Sequence, residues 1–450
     1  MSEVFDLVAL GSGPAAARVV TRCAQANWKV AVIDPNPVGG TCALHGCNPK
    51  KVLVHAAELV DRARRLDGKG TNLGSAVICW EDLMRFKRTF TEPVTAGRRR
   101  SFAELGIEII RDSPRFVGPT SIALTGRTLR ARRWLIATGA VPAELPLAGA
   151  DLLLSSDEFL ELESLPDRVT FVGGGYIAFE FAHVAARAGA KATILDQSLP
   201  LDGFDHDLVQ RLIERSRLLG IEVMSHTPVD AVQRDSAGGF LVTASGAEGP
   251  FRLSTDLVVH AAGRVPNVQG LDVEQANVRY SSRGIEVNEF FQSVTNPGVY
   301  AAGDVAATEM PPLTPAANYQ GRIVAQNMLE GTSVPNQSPI IPTAVFTIPP
   351  LAAVGMTENQ IRRAGIDCEI KQGDWSEFGS VRKVGETHAM FKVLIDKSSG
   401  QILGAHLLGP EAPEVINLFA LAMGLRVTAS ALKQVPFAFP TFVSDIHSML

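Results

Sequence analysis

At 450 residues the chain exceeds what one compact core organises, and with 46% apolar residues it can bury about two to four domains of ordinary size. A formal net charge of −5, with no basic block longer than the loop-like Arg98-Arg99-Arg100, leaves no electrostatic footprint for a nucleic acid; that triplet reads as a solvated helix face. The N-terminus is acidic where a leader peptide is basic, and no apolar run approaches the roughly 18 residues of a membrane helix, so no membrane partner and a soluble, cytoplasmic protein are expected.

In chain order, Asp6-Leu7-Val8-Ala9-Leu10 reads as a buried strand, Gly11-Ser12-Gly13-Pro14-Ala15-Ala16 opens a helix, and a second strand, Lys29-Val30-Ala31-Val32-Ile33, ends at Asp34. This is the dinucleotide fingerprint. Gly11 permits the tight turn, Gly13 lets the backbone approach a pyrophosphate, Ala16 keeps helix and strand close, and the acid accepts ribose hydroxyls.

Five cysteines in a chain of this length exclude a disulfide scaffold, and an odd count suits a reducing compartment. Cys23, Cys79 and Cys368 are isolated and read as buried small hydrophobes. Cys42 and Cys47 differ, standing five apart in Gly39-Gly40-Thr41-Cys42-Ala43-Leu44-His45-Gly46-Cys47-Asn48-Pro49-Lys50-Lys51. At a helix start a thiol gains from the positive helix end and persists as thiolate, which favours a redox pair. A structural disulfide and zinc ligation are the alternatives; zinc wants two more ligands and the tract offers only His45, so no metal is expected.

The fingerprint recurs. Val169-Thr170-Phe171-Val172 leads into Gly173-Gly174-Gly175-Tyr176-Ile177-Ala178, and Lys191-Ala192-Thr193-Ile194-Leu195 ends at Asp196, with 23 residues from first glycine to acid in both copies. Two mononucleotide-binding units demand two nucleotides. Residues 134–139 and 257–263 also repeat, as strands stopping at Gly139 and Gly263; they either return each fold toward its nucleotide or are ordinary core strands. The carboxylate of Glu180, between Phe179 and Phe181, is expected to be buried and therefore paired. The Pro-rich tract at residues 333–342 marks a boundary, after which residues 389–395 read as a strand and an apolar helix lies around 413–424.

With these motifs the sequence resembles the class I flavoprotein disulfide reductases, the family of glutathione reductase, dihydrolipoamide dehydrogenase and mercuric reductase, over nearly the whole chain. The resemblance implies an α/β fold with two Rossmann-like domains for FAD and NAD(P) and a C-terminal α/β dimerisation domain, working as a homodimer. Its divisions fall at 1–145 (FAD), 146–263 (nicotinamide), 264–335 (a central FAD-contacting segment) and 336–450 (dimerisation). It implies an FAD site at Gly11, Gly13, Ala16, Asp34, Gly40, Thr41, Thr138, Gly139, Asp304 and Thr314, with Asp304 on the ribityl chain. The nicotinamide site comprises Gly173, Gly175, Tyr176, Asp196 and Gly263, with Tyr176 as a lid. Cys47 becomes the thiol facing the flavin and Cys42 the thiol that attacks substrate. Lys50, or alternatively Lys51, pairs with Glu180 near flavin N5.

Asp196 would repel a 2′-phosphate, and residues 196–202 contain no arginine, so NADH is expected over NADPH. The pattern breaks near the C-terminus. The family carries a His-Pro-Thr segment whose histidine serves the partner subunit's cysteines as acid and base, whereas here Phe439-Pro440-Thr441 stands, with Ser444 or Asp445 at the place of the companion glutamate. His447 is the nearest histidine, and the C-terminal cysteine pair of mercuric reductases is absent. Arg18 is followed by Val19-Val20 where glutathione reductases place arginines. Phe437, Phe439 and Phe442 either line an apolar entrance or serve as dimer packing. A disulfide reductase with a non-glutathione acceptor is therefore expected; a reductase of quinones, oxygen or other electrophiles, and a non-catalytic flavin–dithiol sensor, are the alternatives.

Overall fold

The computed structural model describes residues 4–74, 76–331 and 333–450. These form two compact units. The first comprises residues 1–50, 87–143 and 264–339 and the second residues 51–86, 144–263 and 340–450. The chain changes unit inside two uninterrupted helices, Cys47–Leu66 and Trp80–Glu104, where the sequence carries no linker composition.

In the first unit Val4–Leu10 pairs in parallel with Val30–Ile33 on one side and Arg127–Ile136 on the other. Val30–Ile33 is buried along its whole length, which is why it reads as an unbroken apolar run. Gly11 closes the first strand at φ +97°, and a Cβ there would lie 2.3 Å from the Ala137 carbonyl oxygen, so only glycine fits. The helix Pro14–Gln25 follows, with proline in its first turn and Ala15, Ala16, Val19, Val20 and Cys23 on its buried face. Val299–Ala301, from the segment after residue 264, pairs with Arg127–Ile136 and completes this sheet.

The second unit repeats the device. Its parallel sheet runs Glu222–Met224, Lys191–Leu195, Arg168–Val172, Leu257–His260. Gly173, at φ +103°, would put a Cβ 2.4 Å from Ala262 Cα. Thus the strands that stop at Gly139 and Gly263 each run beside the fingerprint strand of their own unit. A five-stranded antiparallel sheet, Thr343–Val345, Leu351–Gly355, Ile402–Leu408, Met390–Asp396 and Cys368–Asp374, forms the C-terminal portion, with the apolar helix Ala412–Gly424 packed on it.

Arg98, Arg99 and Arg100 lie on the helix Trp80–Glu104, with Arg99 and Arg100 exposed, in keeping with a solvated helix face. Two local expectations need correction. Cys79 is exposed and Cys368 half-buried, so of the three isolated cysteines only Cys23 is a core residue.

Polar groups are also buried in the second unit. His183 is fully enclosed, and burial together with the Arg187 and Arg215 guanidiniums holds its imidazole well below its ordinary 6.5. Below about pH 6.5 the unfolded chain takes up a proton that the folded protein refuses, so this group's contribution is intact at neutral pH and stability declines as pH falls. The decline is expected to approach about 1.4 kcal/mol per pH unit from this group, and guanidinium titrations should show a shallower pH slope in His183→Gln.

Candidate functional site

The helix Pro14–Gln25 starts at Gly13 with no side-chain cap and no acid in its first turn, so its free N–H groups and positive end are available to an anion. Gly13 has an ordinary φ of −68°, and no protein atom lies within 4 Å of where its Cβ would be. Neither strain nor packing demands glycine there. The empty space above the uncapped helix does, because a pyrophosphate would fill it. Ser12 Oγ donates to Asp34 Oδ2 at 2.6 Å and accepts from Gly39 N at 3.1 Å, while Asn36 N donates to Asp34 Oδ1 at 2.9 Å. The Ser12 hydroxyl therefore ties Asp34 and the fingerprint loop to Gly39 at the start of the cysteine loop, and each Asp34 oxygen retains a lone pair for a ribose hydroxyl. Gly40 lies against Gly13, where a Cβ would come within 2.4 Å of the Gly13 Cα.

Asp304 is half-buried, and desolvation raises its carboxyl above the usual range with only Arg264 opposing. Among the described residues no hydrogen-bond donor reaches it. A half-buried acceptor in want of donors suits the hydroxyls of a ribityl chain. Thr138 Oγ1 donates to Asn267 O at 2.6 Å, and Gly139 opens onto space free of protein atoms. The donor set fits FAD.

The cysteine loop is a single turn, Thr41–Leu44, followed by His45, Gly46 and the 20-residue helix that begins at Cys47. Cys47 is the more exposed thiol, and its Sγ lies 3.5 Å from Thr314 Oγ1. A hydrogen bond from Cys42, the Thr314 hydroxyl and the Lys50 ammonium pull the Cys47 thiol down to about 6 despite partial burial. Cys42 moves the opposite way: hydrogen bonding to Cys47 and burial push it far up. At neutral pH the reduced pair is a Cys47 thiolate beside a Cys42 thiol. Thr314 opens the helix Thr314–Glu330, which also lacks a side-chain cap, so two positive helix ends flank the thiolate.

In the second unit the helix Tyr176–Arg187 begins at Gly175, again uncapped and without an acid in its first turn. Gly174 N donates to Asp196 Oδ2; Asp196 Oδ1 accepts from Ser198 N at 2.6 Å and Ser198 Oγ at 2.9 Å. The acid is thus fixed at the end of its strand beside the glycine loop. Tyr176 stands half-exposed at the helix start, and Gly263 borders open space. Glu180 is fully buried and its Oε1 accepts from Phe346 N at 2.8 Å; the Lys51 ammonium lies 4.1 Å over the Phe346 ring. Lys50 belongs to the first unit, in the first turn of the Cys47 helix.

At the C-terminus Phe439 is 86% exposed, whereas Phe437 stacks on His447 and Phe442 meets Trp375 edge-on. Of the three phenylalanines only Phe439 faces outward. His447 Nε2 is bonded to Val435 O at 2.7 Å, and Asp445 accepts from Trp375 Nε1 at 2.7 Å and from Ser380 Oγ. Both are committed to holding the C-terminal turn. One feature escaped the sequence reading: His183 and Arg187 continue the line of Glu180 along one helix face, and Arg187 binds Asp61. The signal was there, in polar residues at helical spacing on an otherwise apolar helix.

A family model described as pyridine nucleotide-disulphide oxidoreductase matches residues 5–321, and one described as the dimerisation domain of the same family matches residues 341–450. The chain is 31% identical to a glutathione reductase of Burkholderia cepacia, covering 99% of this chain and 98% of the relative. It is 30% identical to a dihydrolipoyl dehydrogenase of Bacillus subtilis (strain 168), covering 99% and 98%, and 28% identical to a mercuric reductase of Bacillus cereus, covering 98% and 70%. Among solved structures it resembles a Cu(II) complex of a mutant of the HOCl-induced flavoprotein disulfide reductase RclA from Escherichia coli, with a TM-score of 0.88, 25% identity, and coverage of 100% and 99%.

Proposed function

This chain belongs to the pyridine nucleotide-disulphide oxidoreductase family, as an FAD-dependent oxidoreductase acting on sulfur groups, and on that premise we propose that it draws electrons from NADH and delivers them through Cys42 and Cys47 to an acceptor other than glutathione disulfide. The observation that carries this reading is the opposed pair of thiols. FAD, when bound, accepts hydride from the nicotinamide and passes two electrons to a disulfide. The residues do the rest. Gly13 and the uncapped helix hold the pyrophosphate, and Asp304 holds the ribityl hydroxyls. Tyr176 covers the nicotinamide, and Lys50 and Glu180 are the charged residues that serve the hydride step. Two electrons and one proton entering the Cys42–Cys47 bond give the Cys47 thiolate and the Cys42 thiol, the state the local electrostatics favour. Cys42 then attacks the acceptor.

Delivery onward needs a base for the Cys42 proton, and no histidine occupies the position of Phe439. The lack of a positioned acid and base costs typically about 10²- to 10⁴-fold in exchange with an ordinary disulfide. An acceptor needing no proton at transfer avoids that cost. A quinone taking electrons singly, to the semiquinone anion, qualifies, and so does Cu(II), the ion in the RclA complex, with two Cu(II) going to Cu(I) per dithiol oxidised. The dimerisation domain supports assembly as a homodimer, and among the described residues no helix is long and apolar enough to cross a membrane. A reaction of neither disulfide, quinone, oxygen nor Cu(II) with the NADH-reduced protein would favour the sensor reading.

Anaerobic titration with NADH tests the core of the proposal. Long-wavelength absorbance of a thiolate against oxidised flavin should rise with the first equivalent; protein that binds no FAD when supplied with it sinks the reading. For the nucleotide choice, Asp196→Arg removes a charge that repels a 2′-phosphate and adds one that attracts it. The ratio of kcat/KM for NADH over NADPH is expected to fall at least about tenfold. A ratio already favouring NADPH in the unmodified protein would overturn the preference.

A further inference from the structure

Along the helix Tyr176–Arg187, Glu180, His183 and Arg187 lie on one face at the i, i+3, i+7 spacing, and all three are buried. They address a single short segment. Glu180 Oε1 accepts from Phe346 N at 2.8 Å, His183 Nδ1 accepts from Ile348 N at 3.1 Å, and Arg187 donates to Ile348 O at 2.9 Å. The His183 tautomer is fixed by its other nitrogen. Ser216 Oγ gives its hydrogen to Leu212 O at 2.8 Å and so accepts from His183 Nε2 at 2.9 Å, leaving Nδ1 as the acceptor. Two acceptors and one donor thus face two donors and one acceptor. A helix displaced by one turn would set acceptor against acceptor in one direction and donor against donor in the other, whereas the surrounding apolar packing, being non-directional, would tolerate the slip.

The stripe is anchored at Arg187. Its guanidinium donates to Asp61 at 2.7 and 3.1 Å and to the His183 carbonyl at 3.0 Å. Asp61 also accepts from Arg65 at 2.6 Å and Arg215 at 3.1 Å; burial raises its carboxyl, but the guanidiniums more than offset this and hold it below the usual range. With Glu386, 3.7 Å from both Arg65 and Arg215, the cluster sets three guanidiniums against two carboxylates. Without Asp61, Arg187 would keep a buried charge short of a counter-ion at the end of the helix.

We propose that Asp61 and Arg187 are positioning residues for hydride delivery: they lock the Tyr176–Arg187 helix in the one register against residues 346–348 that sets the Glu180 carboxylate and the Tyr176 ring. The inference rests on the reading of this helix as the nicotinamide helix. It differs from a purely stabilising ion pair, since a register lock acts on the rate of the bound complex whatever the stability.

Three proteins loaded with FAD separate the cases: the unmodified chain, Asp61→Asn, and the double variant Asp61→Leu with Arg187→Leu, which removes one charge of each sign. Stopped-flow mixing with NADH reads the rate of flavin reduction at saturation and the NADH Kd; denaturant unfolding reads stability. Asp61→Asn should reduce flavin about tenfold more slowly with the Kd within about threefold. The double variant should regain most of the stability, since the fully buried Arg187 guanidinium leaves with its counter-ion while the partly exposed Arg65 and Arg215 keep Glu386, and remain slow, because the bond to Ile348 O is gone. If Asp61→Asn fails to fold, the double variant decides alone. A double variant that reduces flavin at the unmodified rate overturns the positioning role. Failure of NADH to reduce the unmodified protein overturns instead the functional reading beneath it.

Discussion

Cys42→Ser is expected to show long-wavelength flavin absorbance in its resting state, without NADH, and to lose that absorbance as pH falls through about 6. The serine hydroxyl can still donate the hydrogen bond that Cys42 provides, Thr314 remains 3.5 Å away, and Lys50 keeps its charge, so the thiolate persists with no disulfide to trap it. Cys47→Ser should show no such band at neutral pH, because it removes the thiol that Thr314 and the Lys50 ammonium favour as thiolate, while burial still opposes ionisation of Cys42, with Thr314 favouring it. Both variants should lose at least about 10³-fold in turnover of a disulfide acceptor, since each breaks the closed pair, while flavin reduction by NADH continues. Spectra recorded from pH 5 to 9 check the assignment. A band in Cys47→Ser at neutral pH, or a midpoint near the ordinary thiol value of 9.0 in Cys42→Ser, would reverse the roles of the two cysteines.

The second large effect separates two glycines that a motif match treats alike. Gly11→Ala should destabilise the first unit by about 3 kcal/mol or more, combining a left-handed backbone with a Cβ 2.3 Å from a carbonyl oxygen. Gly13→Ala should leave the stability of the FAD-free protein within about 0.5 kcal/mol, since its backbone is ordinary and no atom stands in the way. Yet it should purify largely without flavin, the methyl occupying the pyrophosphate space. Denaturant unfolding of both FAD-free variants, with flavin content measured after reconstitution, is the check. Full flavin retention in Gly13→Ala would contradict the cradle.

The two glycines also show where sequence reading stops. Both nucleotide units were legible because their determinants are local: a buried β-branched strand, a glycine the turn requires, an uncapped helix, and an acid 23 residues on. The cysteine motif was legible for the same reason, as a short spacing of chemically distinct residues. What the chain could not display in one dimension were pairings over long separations. Cys47 Sγ meets Thr314 Oγ1, 267 residues away, and Arg187 binds Asp61 across 126 residues. Nor does composition mark that residues 51–86 fold with the second unit, because the connecting helices run on without interruption. Hydrophobic periodicity identifies which face of a helix is buried but not what it meets, since apolar burial has no direction. The buried polar groups carry that direction, and their partners exist only once the chain is folded. The sequence by itself determined two fingerprint units and a cysteine pair five apart; tertiary structure set Thr314 beside Cys47, left Phe439 exposed, and tied His447 and Asp445 into the C-terminal turn.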